Sequence, residues 1–397
     1  MIGGDFGGSA GSAAADAVHR GIGLLPAGQR VAVITVREAL TGWTEDFAGY
    51  GVPCEIGHYS VQGEQRKYVD GAIQKRYLRT AIPLNPDWDL NTGYENALRR
   101  MGESSLPTHN LLRWVMLNKD KVVTPSSQDA KSPRTYFICG RYTLATLLCT
   151  PFEEGEAWKI AACRHKDIVY IRGIPMNEGV EPSPSDSRDR YRDRLRYWSQ
   201  MFQLIMTTNE AGAAAPKENE VVREGDAYNV VLRCQLGLHS IVLGAQMKAV
   251  NPSVPCEPGS TAGYVELKTC RDNFKRSQRY TFYRHALLRW WAQCRLAGVP
   301  KVLCGFRKES GILCSIQEFD VMKMPERATE KWSEDICMKF CDQLLSFIKR
   351  HVEEKGGRNA YLFEYVPTSG EVVCKRLTDP GNLYGLPDWF LEAFEGY

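Results

Sequence analysis

Residues 263–269 read Gly-Tyr-Val-Glu-Leu-Lys-Thr, and this is the most informative segment of the chain. Its β-branched and aromatic residues, opened by a glycine, predict a short β-strand. Side chains alternate between the two faces of a strand, so Glu266 and Lys268 project from the same face. The plain alternative is an exposed surface pair, so the meaning of the pair depends on what lies beside it.

The strand predicted over 240–250 precedes this segment and carries Gln246 and Lys248 at the same spacing. Neighbouring strands would present these side chains, together with those of Glu266 and Lys268, to one cleft. In nucleases with an Asp…Glu-x-Lys layout, an acid on the first strand and Glu-x-Lys on the second hold a divalent cation beside the scissile phosphate. The pattern therefore predicts a nuclease-like cleft.

Further strands and helices alternate along the chain. Runs rich in Val, Ile, Leu and Tyr, bounded by Gly, Pro or Asn, predict strands over 158–163, 168–172, 228–236 and 301–306. Apolar residues at three- to four-residue spacing predict helices over 188–207, 282–297 and 333–355. Ser333 is the expected N-cap of the last helix, and Gly356-Gly357 its end. Mixed strands and helices predict an α/β or α+β fold.

The length and composition are those of a soluble, intracellular globular protein. The chain has 397 residues, 43% hydrophobic and 10% aromatic, which excludes collagen, coiled-coil and wholly disordered proteins. No stretch approaches about eighteen consecutive apolar residues, so we predict no membrane span, no secretory signal and no membrane partner. The Gly-, Ala- and Ser-rich residues 1–30 are expected to form a flexible N-terminal tail, and 31–397 a single domain.

The charge of the chain is nearly balanced, with 50 Lys and Arg against 47 Asp and Glu and a net charge of +3. A charge this close to balance does not by itself predict nucleic-acid binding, so any basic surface must be local. The 13 cysteines lack a Cys-x-x-Cys pair and the seven histidines stand alone, which predicts reduced core thiols and no zinc site. The arginines of 188–196 are expected either to form a salt-bridged surface or to track RNA.

Several ordered motifs resemble the DXO family of RNA 5′-end decapping nucleases. The most specific are Glu-Leu-Lys-Thr at 266–269 and Phe-Tyr-Arg-His-Ala-Leu-Leu-Arg-Trp-Trp-Ala-Gln at 282–293. Shorter matches lie at 55–60, 147–152, 158–162, 235–237 and 337–341, so the resemblance spans roughly 50–395. It implies a single large α/β domain of twisted mixed β-sheets flanked by helices, with a nuclease-like cleft.

The family's activity is metal-dependent hydrolysis at RNA 5′ ends. It includes the removal of incomplete or NAD-type caps, the release of pyrophosphate and 5′→3′ digestion. The resemblance therefore implies RNA 5′ ends as the ligand and nuclear residence, with a cytoplasmic pool as the alternative. For some members it also implies a nuclear 5′→3′ exoribonuclease as a partner.

The site residues implied by the resemblance match only in part. The family's Arg, Glu, Lys and Gln are retained as Arg141, Glu266, Lys268 and Gln293. The three remaining acids are replaced by Gln203, Gln246 and Lys248. Glu266, Lys248 and Lys268 then contribute one negative and two positive charges where Mg²⁺ requires anionic oxygen ligands. We therefore expect no metal cofactor; if one binds, Glu266 and the Leu267 carbonyl would hold Mg²⁺ or Mn²⁺.

Three further expectations concern individual residues. Lys248 is expected to stay charged, because the neighbouring acid favours its protonated form. Glu224 and Asp226, two residues apart in the loop before a strand, are the alternative metal ligands. A basic cluster that flanks the Glu-Leu-Lys motif is expected to contact the RNA backbone. Its members are Lys275, Arg276, Arg279, Arg284 and Arg289.

The leading hypothesis is a catalytically deficient family member that binds RNA 5′ ends and protects or scaffolds nuclear transcripts. Its pattern of lost acids is similar to that of Cutoff, a protein of piRNA-precursor transcription, which implies small-RNA transcription factors as partners. The alternative is an active metal-dependent hydrolase that removes caps, including NAD caps, with fewer acids. A third interpretation is a vestigial cleft in a fold that serves protein binding only.

Overall fold

The structure of the protein is a computed structural model. It describes residues 28–41, 47–83, 86–100, 107–122, 136–176, 186–217, 219–272, 276–328, 331–353, 357–378 and 384–394. The expected flexible tail, 1–30, lies outside these residues except for its end, where the first strand begins at Gly28.

The strands form two mixed sheets. In chain order they are β1 Gly28–Thr35, β2 Cys54–Gln62, β3 Lys67–Asp70, β4 Tyr77–Leu78, β5 Trp88–Asp89, β6 Phe137–Gly140, β7 Trp158–His165, β8 Ile168–Ile174, β9 Thr207–Thr208, β10 Ala227–Leu236, β11 His239–Met247, β12 Ala249–Val250, β13 Tyr264–Arg271, β14 Lys301–Arg307, β15 Ile312–Asp320, β16 Tyr361–Val366 and β17 Glu371–Leu377. The larger sheet has the order β1-β17-β16-β7-β8-β6-β11-β10-β2-β3, and the smaller one β5-β15-β14-β13-β12-β4-β9. Parallel pairs such as β6 with β11 and β13 with β14 stand among antiparallel ones, which confirms the predicted mixed architecture.

Helices cover the sheets. They are α1 Val36–Thr41, α2 Pro107–Leu117, α3 Lys119–Val122, α4 Arg141–Cys149, α5 Ser187–Met206, α6 Arg276–Thr281, α7 Leu287–Ala297, α8 Met324–Arg327, α9 Glu334–His351 and α10 Asp388–Glu392. Short 3₁₀ turns lie at Tyr94–Asn96, Thr150–Phe152 and Val321–Lys323, and a π-helical turn at Phe282–Ala286 joins α6 to α7. None of the described helices is long and apolar enough to cross a membrane.

The main core lies between the two sheets and is filled by α4, α7 and α9. Trp291 of α7 and Phe340 of α9 are fully buried in one cluster with Val230 of the larger sheet and Val302 of the smaller one. Burying a side chain of this size contributes about 1.5–3 kcal/mol, so this cluster fixes the sheets relative to each other. The 13 cysteines are free thiols and most are buried, as predicted.

Helix α5 covers the other face of the smaller sheet. Its Phe202 is buried against Val265, Leu267 and neighbouring apolar residues. Gly305 of β14 lies directly beneath, and a Cβ atom there would be 2.8 Å from the Phe202 ring. Only glycine permits this close approach, which brings the polar residues of α5 next to the sheet.

The strand predicted over 240–250 is two strands in two sheets. β11 stays paired with β10 and β6 in the larger sheet as far as Met247. β12 then pairs with β13 and β4 in the smaller sheet. The prediction of one continuous strand was wrong, because alternation along the chain does not reveal where the pairing partners change.

Two predicted helices differ from the structure at their ends. The helix predicted over 282–297 begins earlier, with α6 and the π turn. Ser333 caps α9 as predicted by accepting from the Ile336 amide at 3.5 Å. However, α9 ends at His351 rather than at residue 355, because Val352 is already extended and buried.

Candidate functional site

The four residues that match the family site form one connected network in the interior. Arg141 donates from Nη1 to Oε2 of Glu266 at 3.0 Å. Lys268 lies with its Nζ 3.5 Å from Oε1 of the same carboxylate. It also donates to Oε1 of Gln293 at 3.0 Å. Since Glu266 is only 2% exposed, its contacts with these cations are formed away from bulk water.

The alternation of side chains along β13 determines which way Glu266 and Lys268 face. Val265 and Leu267 are buried under α5. Glu266 and Lys268, which alternate with them, therefore face the opposite side of the smaller sheet. There α7, held by its buried residues, brings Gln293 to Lys268.

Lys248 lies where the chain passes from the larger sheet to the smaller one. The next residue, Ala249, pairs with the residue before Glu266, which places Lys248 beside that carboxylate. The backbone carbonyl of Lys248 accepts from Nε2 of Gln203 on α5 at 3.3 Å. Gln246 precedes it on the same side of the chain. The three replaced acid positions therefore meet at the junction of the two sheets.

These three positions line one cavity of about 620 Å³, here named the cleft. This volume lies in the range of small-ligand sites, about 300–1,000 Å³. The charged residues of its lining are Arg66, Arg76, Arg100, Arg196, Arg223, Lys248, Glu220, Glu224 and Asp226. With six cationic side chains against three anionic ones, the cleft carries a net positive charge.

The three carboxylates of the cleft are engaged by protein donors. Glu220 accepts from Arg76 at 2.5 Å. Glu224 is buried and pairs with Arg99 at 2.7 Å. Asp226 accepts from a backbone N–H at 2.7 Å. These contacts therefore do not favour Glu224 and Asp226 as replacement metal ligands.

The charge states at the junction of the sheets follow from burial and neighbours. Burial lowers the pKa of Lys248 to about 8, although Glu266 opposes the shift. Burial also disfavours ionisation of Glu266, but the positive charges of Lys268, Arg141 and Lys248 outweigh it and hold the pKa of Glu266 below its usual range. Near neutral pH a carboxylate therefore faces a protonated lysine.

The residues at this junction do not fit the Mg²⁺ or Mn²⁺ that the resemblance implies. Glu266 supplies a carboxylate, but Arg141 and Lys268 already face its two oxygens. The two glutamines offer neutral amides, and the protonated ammonium of Lys248 cannot act as a ligand. Within the described ranges, no group of three or more His, Cys, Asp or Glu side chains is arranged to hold a metal ion.

A second basic region adjoins the network at Gln293. Arg289 pairs with Glu153 at 2.8 Å and with Glu156 at 2.6 Å. Arg284 pairs with Glu154 at 2.6 Å. We name these two arginines and three glutamates the Arg289 cluster. Its carboxylates neutralise the positive charge that the sequence places there.

The RNA contacts predicted for this segment stay a prediction, and the structure describes only part of the segment. Lys275 lies outside the described residues, and Arg276 is the first residue of α6. Arg279 is exposed. Arg284 and Arg289 are occupied by glutamates, so their contacts do not favour the predicted role in RNA binding.

The arginines of α5 lie at the surface. The exposed members are Arg188, Arg190, Arg192, Arg194 and Arg196. Arg192 is 3.6 Å from Asp189, and Arg196 is 3.8 Å from Asp193. Exposed pairs of this length contribute about 0–1 kcal/mol, so the helix carries a loosely salt-bridged surface. Arg196 also lines the cleft.

Sequence reasoning missed the arginines that loops bring to the cleft. Arg66 stands in a turn with a φ of 52°, in the left-handed region. Arg76 lies between β3 and β4, where its Nε donates to Thr207 at 2.7 Å. Arg100 follows a 3₁₀ turn. Nothing in their spacing links these residues, because only the tertiary fold brings the loops together.

Comparison with known proteins gives a consistent result. Residues 52–391 match the model of a family described as RAI1 like PD-(D/E)XK nuclease. The chain is 32% identical over 370 residues to the Decapping and exoribonuclease protein of Mus musculus, covering 91% of this chain and 90% of that one.

Solved structures show the same fold. Candida albicans Rai1 in complex with pU5 and Mn²⁺ has a TM-score of 0.75 at 20% identity, over 92% of this chain and 98% of that one. An S. pombe Rai1 mutant with three glutamate substitutions, in complex with 3′-FADP, has a TM-score of 0.65 at 19% identity, over 87% of this chain and 98% of that one.

Proposed function

The chain belongs to the RAI1-like PD-(D/E)XK nuclease family, and on that premise we propose that it binds RNA 5′ ends in the cleft without hydrolysing them. One observation carries the proposal: the ammonium of Lys248 lies beside Glu266. The resemblance places a carboxylate at this position, where it would attract a divalent cation. A protonated lysine repels such a cation and attracts a phosphate instead.

The lining of the cleft is suited to a terminal phosphate. Lys248, Arg66 and Arg196 supply positive charge around the same cavity. Within the described chain, Nε of Arg66 is buried without a hydrogen-bond partner, so a donor is available there. Hydrogen bonds between a cation and a phosphate are about twice as strong as neutral ones. The amide groups of Gln203 and Gln246 can donate further hydrogen bonds to phosphate oxygens.

The same residues are poorly suited to hydrolysis. Activation of water requires a base with a pKa near the working pH or a bound metal ion. Glu266 has a lowered pKa and is held by Arg141 and Lys268, so it is a weak base. Binding of the ground state can then persist without stabilisation of the transition state.

A structural neighbour supports the separation of binding from hydrolysis. The S. pombe Rai1 mutant with three glutamate substitutions is in complex with 3′-FADP. Its fold thus holds a nucleotide ligand after the loss of three acidic side chains. Gln203 and Gln246 would be neutral replacements of the same kind in this chain, whereas Lys248 goes further and reverses the charge.

The biological role that we propose is protection of nuclear transcripts. A 5′ end held in the cleft would be shielded from decapping and from 5′→3′ digestion, in a role similar to that of Cutoff. The partners would be a nuclear 5′→3′ exoribonuclease or small-RNA transcription factors. This role follows from the family resemblance and from the chemistry of the cleft together.

The test is a paired assay on one preparation of the protein. Binding of 5′-triphosphate, unmethylated-cap and NAD-capped RNA is measured in EDTA, beside hydrolysis of the same RNAs with Mg²⁺ and with Mn²⁺. An RNA with a 5′ hydroxyl is the control ligand. We expect metal-independent binding that is weaker for the control, and no product.

Two outcomes would contradict the proposal. Equal affinity for the 5′-hydroxyl RNA would mean that the cleft does not recognise a 5′ phosphate. Metal-dependent product release would favour the active hydrolase. In that case Oε1 of Glu266, which is buried without a hydrogen bond in the described chain, would be the first ligand to examine, with the Leu267 carbonyl.

A further inference from the structure

The face of α5 that lines the cleft continues beyond it as a line of arginines. Gln203, Gln200 and Arg196 line the cleft. Arg192 and Arg188 follow at four-residue intervals, which keeps them close to the same face of the helix. At 1.5 Å per residue, Arg188 lies about 12 Å from Arg196 along the helix axis. We name Arg188, Arg192 and Arg196 the arginine track.

The track is available for a ligand. The side chains of Arg192 and Arg196 are 69% and 46% exposed. Their nearest carboxylates are 3.6 and 3.8 Å away. Asp193 is held more closely by the Tyr94 hydroxyl, at 2.5 Å, than by Arg196. A phosphate can therefore replace these weak surface ion pairs at little cost.

We propose that the arginine track binds the backbone of single-stranded RNA as it leaves the cleft. This inference rests on the proposed function, because the 5′ end in the cleft sets where the strand begins. The track is continuous with the cleft, and its positive charges complement the regular phosphates of a single strand. We commit to a single strand as the occupant, because a cavity of about 620 Å³ has the volume of a small-ligand site rather than of a duplex end.

The same helix offers a matched control. Arg190 is exposed like Arg192 but lies two residues earlier, about 200° around the helix axis. Arg190→Glu and Arg192→Glu make the same change in charge on one helix. Only Arg192→Glu alters the face that continues from the cleft.

The experiment measures binding of 5′-monophosphorylated oligouridylates in EDTA, using a dinucleotide and a decanucleotide. For the unmodified chain we expect tighter binding of the decanucleotide. Arg192→Glu should weaken its binding about tenfold and lower the slope of log affinity against log salt by about 0.7 per lost contact. Dinucleotide binding should stay unchanged. Arg190→Glu should change neither ligand by more than about twofold.

The failures are distinguishable. If the unmodified chain binds neither oligonucleotide, both the proposed function and the arginine track are contradicted. If both bind with equal affinity, the cleft binds 5′ ends but the track is wrong. Equal losses with Arg190→Glu and Arg192→Glu would show bulk charge rather than a track. If Arg192→Glu weakens binding of polyglutamate but not of the decanucleotide, the occupant is an acidic protein and the RNA track is overturned.

Discussion

The cleft and the Arg289 cluster are both basic in sequence, yet they differ in how much charge remains for a ligand. In the Arg289 cluster one guanidinium faces two carboxylates, those of Glu153 and Glu156. Burial opposes its charge, but hydrogen bonds to these glutamates outweigh burial and raise the pKa of Arg289. In the cleft the ratio of cations to carboxylates is reversed, because six cationic side chains line it against three anionic ones. Beside the cleft, the carboxylate of Glu266 is likewise shared by three cations. A basic segment therefore predicts a phosphate site only where its carboxylate partners are outnumbered.

The largest expected effect tests whether the chemistry of the cleft depends on three side chains alone. The combined variant Gln203→Glu, Gln246→Glu and Lys248→Asp restores the carboxylates that the resemblance implies. We expect Mn²⁺-dependent hydrolysis of RNA to rise about a thousandfold above the unmodified chain, because metal ligands and charge stabilisation return. The measurement is product release in parallel with Mn²⁺ binding by calorimetry.

A control variant for this restoration makes the same change in formal charge around the cavity without restoring the site. Gln62→Glu and Gln74→Glu alter the lining of the cleft, and Lys67→Asp lies on the neighbouring edge strand. The triple variant that combines these three substitutions should remain inactive. If the restored variant binds Mn²⁺ and still releases no product, the cleft has changed in more than its ligands.

A smaller effect contrasts the two regions directly. Lys248→Glu should weaken RNA 5′-end binding about a hundredfold, because a second carboxylate would stand beside Glu266 and repel phosphate. Arg289→Glu should change binding less than about threefold, since its charge is already neutralised. Lys248→Met, which adds no charge, should still weaken RNA 5′-end binding about tenfold. This variant controls for misfolding caused by a buried second carboxylate. Comparable losses at both sites would remove the distinction between the regions.

The pH dependence of binding sharpens the role of Lys248. Its protonated form attracts phosphate, and its pKa of about 8 places its deprotonation between pH 7 and 9. Affinity should therefore fall about tenfold as pH rises through this window. Lys248→Arg should bind equally at both ends of the window, because a guanidinium stays charged. A fall that persists in Lys248→Arg would assign the titration to another group.

The smallest effect concerns stability in the Arg289 cluster. Arg289→Ala should lower the free energy of unfolding by about 1 kcal/mol, because Glu153 loses its partner while partly buried. RNA affinity should not change. Urea denaturation of Arg289→Ala, Glu153→Ala and the double variant measures the coupling. A coupling near zero would mean that the pair is screened by solvent.

Much of this fold is predictable from the sequence, because strand alternation and helical spacing are local signals. The run at 263–269 correctly predicts β13 and the shared face of Glu266 and Lys268. The four residues matched through the family resemblance meet in one network for the same reason: each stands at a defined position on a regular element.

The rest depends on tertiary contacts that leave no local signal. The division of the strand at Lys248 follows from a change of pairing partners between two sheets. The positive lining of the cleft comes in part from loops, as with Arg66 and Arg76. The neutralisation of Arg289 requires glutamates from a turn more than a hundred residues earlier. Charge pairing across such distances cannot be read from composition or spacing.

The passage from β11 to β12 has a consequence for how this protein can change over time. Ala245, Met247 and Ala249 are buried, while Gln246 and Lys248 between them face the cleft, so alternation continues through the change of sheet. Inserting or deleting one residue here would exchange the two sets and place polar groups in the core. Point substitutions at Gln246 or Lys248 leave the core untouched. Single substitutions can therefore change the chemistry of the cleft during evolution, whereas insertions or deletions in this segment would disrupt the core.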